Sequence, residues 1–372
     1  MQTLPYVVVT NPNFSIVYEL YYKAFESLRR VPEIKMLDDN DEFCKKISQT
    51  LQEHLAVIPK LAMGVLECRD LMKPEDMDKF MNTVLRSVHS LHFCATALNN
   101  LPLTSIQRIS RRTIAEQHLA LTETFKSPWH FPDAKPTESE FVGAVFLKCN
   151  AKEVVSRCGK QVQALAAAAY GPSTILPKIK LEGHLDATFP YILNHLEYII
   201  GELLRNSIQA IVEKQKQGPS PPLTPPPIEV TVCEAPQHVI IRVSDQGGGI
   251  PRDILPYLWS FSKGPRSHQR LENLNQVPKM AATLQEVRVD DTPPELTSPP
   301  STHDSSLASL SSRPPNLRLG MGLPLSRIYA EYWAGSLELH SLEGYGVDAF
   351  LQISKLGNKN EQLTTRASMD AV

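Results

Sequence analysis

Cysteine is scarce and scattered in this chain: six occur among 372 residues, with no C-x-x-C pair. That pattern argues against a zinc site or a disulfide framework and favours a reducing compartment. Apolar runs of transmembrane length are also missing. The net charge of −2 gives no strong attraction to nucleic acid or acidic membranes. We therefore expect no membrane span and no nucleic-acid partner.

Two common signatures of ATP-using enzymes are missing as well. The chain has no GxxxxGK[ST] loop, and it lacks the DFG motif and the HRD loop with a downstream asparagine of ordinary protein kinases. The nearest match, CRDLM at 68–72, has no such asparagine after it. Any nucleotide site must therefore be built from other residues.

The chain is long enough for two domains, and its 42% hydrophobic residues suffice for two cores. In the first third, apolar residues recur at three- and four-residue spacing, which predicts an antiparallel four-helix bundle. The predicted helices cover residues 17–30, 41–58, 76–98 and 104–125. A proline-rich polar stretch at 126–140 then marks a domain boundary.

The second part of the chain has a mixed pattern. Predicted strands cover 141–147, 177–183, 228–234, 238–245, 336–342 and 347–353, and predicted helices cover 151–169, 195–214 and 323–333. Because the strands outnumber the helices and come in adjacent pairs, we predict an α+β fold with one sheet covered by helices.

These patterns predict a helical domain over 1–130 and an α/β-sandwich domain over 140–355. Two insertions, 217–227 and 265–315, are rich in proline and in polar residues. We predict that both are disordered, because they hold too little apolar surface to fold alone. Residues 356–372 form a polar tail that we expect to be flexible.

The helix predicted over 195–214 carries the first candidate functional residues. A broad apolar face opposes a polar stripe, which places Glu202 and Asn206 one turn apart. A carboxylate and a carboxamide so placed could serve one site, for example an activated hydroxyl and a metal ion. The alternative is an ordinary solvated face. The stripe consists of His195, Tyr198, Glu202, Asn206 and Gln209.

Three glycine-bearing motifs follow this helix. In DQGGGIP (245–251), the acid at a strand end can accept a hydrogen bond from an exocyclic amine, and its glycines let the backbone approach a flat ligand. In LGMGLP (319–324), glycines at a helix start form a nest for phosphate oxygens. EGYG (343–346) alone would be a hairpin turn. Each motif is weak by itself, whereas the ordered set is specific.

The ordered set resembles the ATP-binding domain shared by DNA gyrase B, the Hsp90 chaperones, histidine kinases and MutL, which is the GHKL (Bergerat) type. The resemblance implies that Asn206 coordinates Mg²⁺, that Asp245 holds the adenine amine, and that the glycines of LGMGLP line the phosphates. It names K⁺ as a candidate second cation. The ATP-binding residues that it implies are Arg205, Asn206, Gln209, Asp245, Gly247, Gly249, Ser262, Lys263, Gly320, Met321, Gly322, Leu323 and Val347.

Longer segments narrow the resemblance to the mitochondrial 2-oxo-acid dehydrogenase kinases, and it extends from Leu4 to Ile353. The segments are AMGVLE (62–67), RISRRTIAEQH (108–118), ELLRNSIQA (202–210) and the stretch from GLPLSRIYAEYW to EGYGVDA (322–349). LPYVVVTNPNFSIVYELYYKAFE, KLEGHLDATFPYI and Tyr198 are more similar to the branched-chain branch, and the Asp-Trp tail signature of pyruvate dehydrogenase kinases is missing. The branched-chain branch is therefore favoured, with pyruvate dehydrogenase kinase as the alternative.

The family resemblance implies a protein serine kinase. Such an enzyme transfers the γ-phosphoryl group of ATP to a serine of the E1 subunit of a dehydrogenase complex and inhibits it, with Glu202 as the general base. A homodimer, docking on the lipoyl domain of the E2 core, and the mitochondrial matrix are implied too. The first residues, MQTLPYVVVTNP, resemble neither a presequence nor a secretory signal, which suggests a trimmed or incomplete N-terminus.

The chain departs from the family pattern near the expected phosphates. ELxKNAxRA appears here as ELLRNSIQA, so that Arg205 replaces a lysine and Gln209 replaces an arginine. Arg318 replaces the first glycine of GxGxGLP, and Val347 replaces a threonine. The segment between the first two glycine motifs is also long for a lid. We expect an active kinase whose turnover or ATP affinity is reduced by these changes.

Three functions of other classes stay open from the sequence. A histidine kinase would phosphorylate its own His118, although acceptor histidines usually precede an acidic residue and Leu119 follows here. A catalytically weak ATP-binding module would regulate a complex by docking alone. A chaperone-type ATPase would hydrolyse ATP without a protein acceptor.

Overall fold

The computed structural model describes residues 6–85, 114–122, 141–142, 145–171, 174–217, 224–263, 270, 273, 313 and 318–355. The chain folds into two compact units. The N-terminal unit extends to Asp78 and includes the described residues between Ser260 and Met321. The C-terminal unit takes Lys79–Trp259 and the chain from Gly322 onward. Most of the predicted insertion at 265–315, the boundary at 126–140 and the tail at 356–372 lie outside the described residues.

The N-terminal region is helical, as predicted. Its first helices begin and end close to the predicted positions, and residues 114–122 are helical within the predicted fourth helix. The helices are α1 (Tyr6–Val9), α2 (Pro12–Arg29), α3 (Leu37–Glu53), α4 (Val57–Glu67) and α5 (Pro74–Leu85), followed by α6 over residues 114–122. A short 3₁₀ turn, His54–Ala56, joins α3 to α4.

Helix α4 was not predicted, and Pro59, a residue type that often ends a helix, lies in its first turn. Proline is tolerated in the first helical turn, where its missing N–H has no intrahelical partner to lose. The helix is strongly apolar, and most of its residues are buried. Phe14 of α2 packs so closely on Gly64 that a Cβ there would lie 3.0 Å from the phenyl ring. Apolar packing therefore outweighs the local proline signal.

The C-terminal unit contains a five-stranded sheet in the order β3-β5-β6-β8-β7. The two predicted hairpins, β5–β6 and β7–β8, are antiparallel as expected, whereas β3 pairs in parallel with β5. The strands are β3 (Ile179–Gly183), β5 (Ile228–Glu234), β6 (His238–Asp245), β7 (Ser336–Leu342) and β8 (Gly346–Ser354). Alternating burial along β6 shows that its pleat matches the sequence pattern.

A second sheet of three strands was not predicted. It consists of β1 (Phe141–Val142), β2 (Val145–Asn150) and β4 (Thr188–Ile192), in the order β1-β2-β4. Strand β4 contains Pro190, and proline within sheets is found mainly on edge strands. At the edge of a sheet a proline costs no ladder hydrogen bond, and Phe189 and Tyr191 of this strand are buried. The prediction of one sheet is therefore wrong.

Three helices accompany the sheets: α7 (Ala151–Tyr170), α8 (Leu193–Gln217) and α9 (Gly322–Tyr332). All three lie within a few residues of the predicted positions. Helix α8 packs against both α7 and α9, and its apolar residues form the centre of the core. Among the helices of the described residues, none is long and apolar enough to cross a membrane.

The buried cysteines of the C-terminal unit yield a prediction. Burial, followed by the charge of Glu197, raises the pKa of the Cys149 and Cys158 thiols to about 12. Because the thiolate is the reactive form, we expect both to resist iodoacetamide at about pH 8, while the exposed Cys233 is modified. Mass spectrometry of the labelled protein measures this difference. Denaturant should make all three react, and equal labelling in the folded protein would contradict the core described above.

Candidate active site

The polar stripe on α8 is not a solvated face. His195, Tyr198, Glu202 and Gln209 are between 1% and 7% exposed. Asn206 is exposed although its neighbours on both sides are buried. The alternative of an ordinary surface stripe is therefore wrong, because four of the five polar side chains are covered by protein. An exposed carboxamide beside buried polar groups is the arrangement that a binding site requires.

Helix α9 covers the first part of the stripe through aromatic contacts. The ring of Tyr329 lies 4.5 Å from the ring of His195 and 5.6 Å from that of Tyr198, measured between centroids. Tyr332 adds an edge contact to His195 at 6.0 Å. The end of α9 thus lies beside the first residues of α8. The two helices are therefore antiparallel, and Gly322, the first residue of α9, lies beside Glu202.

Gly322, the first residue of α9, lies directly against the Glu202 carboxylate. A Cβ on Gly322 would overlap Oε2 of Glu202, so only glycine permits this approach. The N-terminus of a helix carries partial positive charge, which favours a carboxylate placed there. The second residue of α9 is Leu323, which is half-buried. Gly322, the second glycine of LGMGLP, is thus a direct neighbour of Glu202, the predicted general base.

Arg205 forms an ion pair with the same carboxylate. Its Nε lies 3.4 Å from Oε1 of Glu202, and both side chains are almost fully buried. Removing one member of a buried pair strands the charge of the other, so the pair fixes the position of Glu202. The family resemblance implies that the Arg205 charge lies near the phosphates of ATP. In the structure, the Nε of Arg205 faces Glu202. Gln209 donates to Glu213 at 3.4 Å.

Asp245 ends β6 and is held from two sides. Its Oδ1 accepts a hydrogen bond from the backbone N–H of Gly247, and its Oδ2 accepts one from the hydroxyl of Ser207, each at 2.8 Å. Burial raises the pKa of Asp245, while hydrogen bonds from Gly247, Ser207 and the backbone of Val347 oppose that rise. The carboxylate is therefore a buried, well-oriented acceptor.

The first and third glycine motifs close on each other. The N–H of Gly248 donates to the carbonyl of Tyr345 at 3.0 Å, and the N–H of Gly344 donates to the carbonyl of Gly248 at 2.7 Å. A Cβ on Gly249 would overlap the backbone of Leu342, and one on Gly346 would overlap that of Asp245. EGYG is therefore more than a hairpin turn, because it supports the loop that carries Asp245.

Lys214, on α8, ties the same two loops together. Its Nζ donates to the carbonyl of Gln246 at 3.0 Å and lies 3.5 Å from the carbonyls of Gly344 and Tyr345. The helix thereby contacts the Asp245 loop at two points, through Lys214 and through Ser207. Val347 lies opposite Asp245 in the register of β6 and β8 and is half-buried.

Four of the predicted ATP-binding residues, Ser262, Lys263, Gly320 and Met321, belong to the N-terminal unit. Asp78 accepts hydrogen bonds from the backbone N–H groups of Phe261, at 2.9 Å, and Ser262, at 3.4 Å. Met321 is buried. These contacts give the loop around Ser262 a defined conformation within that unit.

The guanidinium of Arg270 lies against Gly320, whose φ of +71° favours glycine. Arg270 also donates to the carbonyl of Lys263 at 3.4 Å, and Asn273 donates to the carbonyl of Arg318 at 2.9 Å. Arg270 and Asn273 come from the insertion predicted to be disordered. At these two positions the insertion contacts the glycine loop.

Two family models match the sequence. One, described as mitochondrial branched-chain alpha-ketoacid dehydrogenase kinase, matches residues 1–101. The other, described as histidine kinase-, DNA gyrase B- and HSP90-like ATPase, matches residues 192–356. The second range includes α8 and all three glycine motifs.

Similar proteins align over nearly the whole chain. The mitochondrial pyruvate dehydrogenase (acetyl-transferring) kinase 2 of Saccharomyces cerevisiae is 31% identical, over 98% of this chain and 74% of the yeast protein. The mitochondrial pyruvate dehydrogenase kinase of Arabidopsis thaliana is 29% identical, over 98% of this chain and 81% of its own length. The mitochondrial pyruvate dehydrogenase kinase isozyme 4 of Mus musculus is 25% identical, over 96% of this chain and 72% of the mouse protein. This chain belongs to the mitochondrial 2-oxo-acid dehydrogenase kinase family.

As a member of this kinase family, the protein is a protein serine/threonine kinase that uses ATP, and its C-terminal unit is of the GHKL type. The predicted family and the α+β fold class are confirmed. The family assignment favours a protein serine/threonine kinase over the histidine kinase and the chaperone-type ATPase that the sequence left open.

The sequence missed three residues that contact predicted ones. In the C-terminal unit, Ser207 contacts Asp245 and Lys214 contacts the two glycine loops; in the N-terminal unit, Arg270 contacts Gly320. Ser207 had a signal, because serine replaces the alanine of the ELxKNAxRA pattern. The other two had none, since their contacts join segments that are distant in sequence.

Gly322 gives a test of the catalytic geometry. Because a methyl group would overlap the Glu202 carboxylate, Gly322→Ala must displace that carboxylate or α9. We expect the rate of phosphoryl transfer to fall by about 100-fold, because a small displacement of a catalytic group can slow a reaction by that factor. Phosphate incorporation from labelled ATP measures the rate.

Gly201→Ala is the matched control for that variant. Gly201 precedes Glu202 in the same helix, and a Cβ there meets no atom within 4 Å. Alanine should stabilise the helix by about 0.5–1 kcal/mol and leave the rate unchanged. Wild-type activity of Gly322→Ala would contradict the proximity of α9 to Glu202.

Proposed function

We propose that the protein phosphorylates a serine of the E1 subunit of the pyruvate dehydrogenase complex and inhibits it. The observation that carries this choice is the 31% identity to the yeast pyruvate dehydrogenase kinase over 98% of the chain. The match to the model named after the branched-chain kinase covers only residues 1–101. The proposal therefore replaces the branched-chain preference with the alternative.

The residue that favoured the branched-chain branch has a packing role. Tyr198 is 1% exposed and contacts the ring of Tyr329 on α9. The contact with Tyr329 accounts for an aromatic side chain at this position, whichever dehydrogenase is the target. Its identity is therefore poor evidence for the target of the kinase.

Glu202 is the general base of the proposed reaction. Its carboxylate would accept the proton of the substrate serine as the hydroxyl oxygen attacks the γ-phosphorus of ATP. The support is local: Arg205 and Gly322 hold the carboxylate in one position. An orientation fixed before the substrate arrives lowers the barrier, because little rearrangement is left to make.

Asp245 and Asn206 are the proposed contacts to ATP and its metal. Asp245 offers a buried, oriented acceptor for the adenine amine, and Asn206 offers an exposed carboxamide to Mg²⁺. Mg²⁺ needs few protein ligands because phosphates and water complete its shell, so one asparagine fits. When bound, the Mg²⁺ ion would neutralise charge on the phosphates. The roles predicted for Arg205, Gln209, Ser262, Lys263, Gly320, Met321 and Leu323, and a K⁺ ion, stay predictions.

The setting of the enzyme is also part of the proposal. Relatives are named as mitochondrial, which supports a mitochondrial location, and the matrix is where the dehydrogenase complex would be met. A homodimer docked on the lipoyl domain of the E2 core follows from the family resemblance. Light scattering and pull-down with isolated lipoyl domain test these two associations.

The target can be identified directly. The protein is incubated with ATP and Mg²⁺ and with each purified dehydrogenase complex, and phosphoserine is mapped on E1. We expect phosphate on pyruvate dehydrogenase E1, because the similarity to its kinases spans the whole chain. Phosphate on the branched-chain E1 alone would reverse the choice of target. Phosphate on neither would contradict the proposal.

Glu202→Gln separates catalysis from binding. The amide keeps the shape of the side chain but accepts no proton, so we expect the rate to fall by about 100-fold or more. Magnesium-dependent ATP binding, measured by calorimetry, should persist. Glu229→Gln, at an exposed position of β5, is the control. Full activity of Glu202→Gln would favour a different base, and no ATP binding by the wild type would contradict the nucleotide site.

A further inference from the structure

Ser207 links the helix of the proposed general base to the proposed adenine acceptor. It follows Asn206 directly, but Asn206 is exposed whereas Ser207 is 5% exposed. The Ser207 hydroxyl donates to Oδ2 of Asp245 across 2.8 Å. Both groups are buried, and a hydrogen bond to a charged acceptor is stronger than one between neutral groups. The contact therefore fixes the rotation of the carboxylate.

The hydrogen bonds of Asp245 leave room for a ligand. Three donors reach the carboxylate: Gly247 N–H at Oδ1 and Ser207 O–H at Oδ2, both at 2.8 Å, and the backbone of Val347. An ionised carboxylate has about four lone-pair sites, so acceptor capacity remains. With both oxygens held, the remaining lone pairs have fixed directions. A ligand must then present a donor, such as an exocyclic amine, at one defined place.

We propose that Ser207 is a positioning residue for nucleobase recognition, which orients Asp245 toward the exocyclic amine of adenine. This inference rests on the proposed ATP site and concerns only the base-binding end of it. The Ser207 hydroxyl donates to Asp245 in addition to the backbone N–H of Gly247. Ser207 acts through Asp245 and needs no contact with the nucleotide.

A purely structural role makes a different prediction. The Ser207 hydroxyl also joins α8 to the end of β6, and loss of that link alone would lower stability without regard to the ligand. A positioning role weakens only ligands that use the Asp245 carboxylate. Purine riboside 5′-triphosphate, which lacks the 6-amino group of ATP, distinguishes the two.

The experiment compares wild type with Ser207→Ala by calorimetry, using the full chain, Mg²⁺ and each nucleotide in turn. We expect the Kd for ATP to rise about five- to tenfold, as for loss of an orienting hydrogen bond to a charged group. The Kd for purine riboside 5′-triphosphate should change by less than about twofold. Ser207→Cys, whose slightly larger thiol fills the site but donates weakly, should resemble Ser207→Ala and guards against an effect of the cavity that alanine leaves.

Ser354→Ala is the matched control. Ser354 is buried on β8, at the end of the sheet opposite to Asp245 in the strand register. It should leave both affinities unchanged. Equal weakening of both nucleotides by Ser207→Ala, or no weakening of either, would overturn the positioning role while the ATP site stands. A wild type that binds neither nucleotide would instead contradict the proposed function itself.

Discussion

The approach of α9 to the Glu202 carboxylate is the contact on which the rest of the site depends. It exists because position 322 has no side chain, and any Cβ would overlap Oε2 of Glu202. The aromatic contacts of Tyr329 hold α9 at that distance, and Arg205 completes the surroundings of the carboxylate. Gly322 would ordinarily be assigned to phosphate binding, and its lack of a side chain also permits this close approach. It brings a helix N-terminus to the proposed base.

A second constraint joins the glycine motifs that lie far apart in the sequence. The loop after β6 and the turn between β7 and β8 exchange backbone hydrogen bonds at Gly248, and neither Gly249 nor Gly346 has space for a Cβ. Lys214 then fastens both loops to α8. Because the loops support each other, the position of Asp245 depends on all three segments. This interdependence explains why the ordered set of motifs is more informative than any member.

Local patterns in the sequence were sufficient for most of the C-terminal unit. The alternation in β5, β6 and β7 predicted these strands with their observed bounds, because each has a clear pleat and a turn at its ends. Helix α4 and strand β4 were not predicted, and each contains a proline, a residue that weakens helix and strand patterns alike. Spacing alone placed Glu202 beside Asn206. Spacing could not predict the burial of the stripe or the Ser207–Asp245 contact, which depend on what packs against α8.

The departures from the family pattern on α8 are best understood through their neighbours. The Arg205 charge is balanced by Glu202 across 3.4 Å, and Gln209 brings no charge at all, its amide reaching Glu213. Helix α8 therefore offers less net positive charge to the phosphates than the family pattern would. In the proposed binding mode, ATP binding would then rely more on hydrogen bonding at the base and on the metal. The hydrogen bond from Ser207 orients Asp245 at that base-binding end.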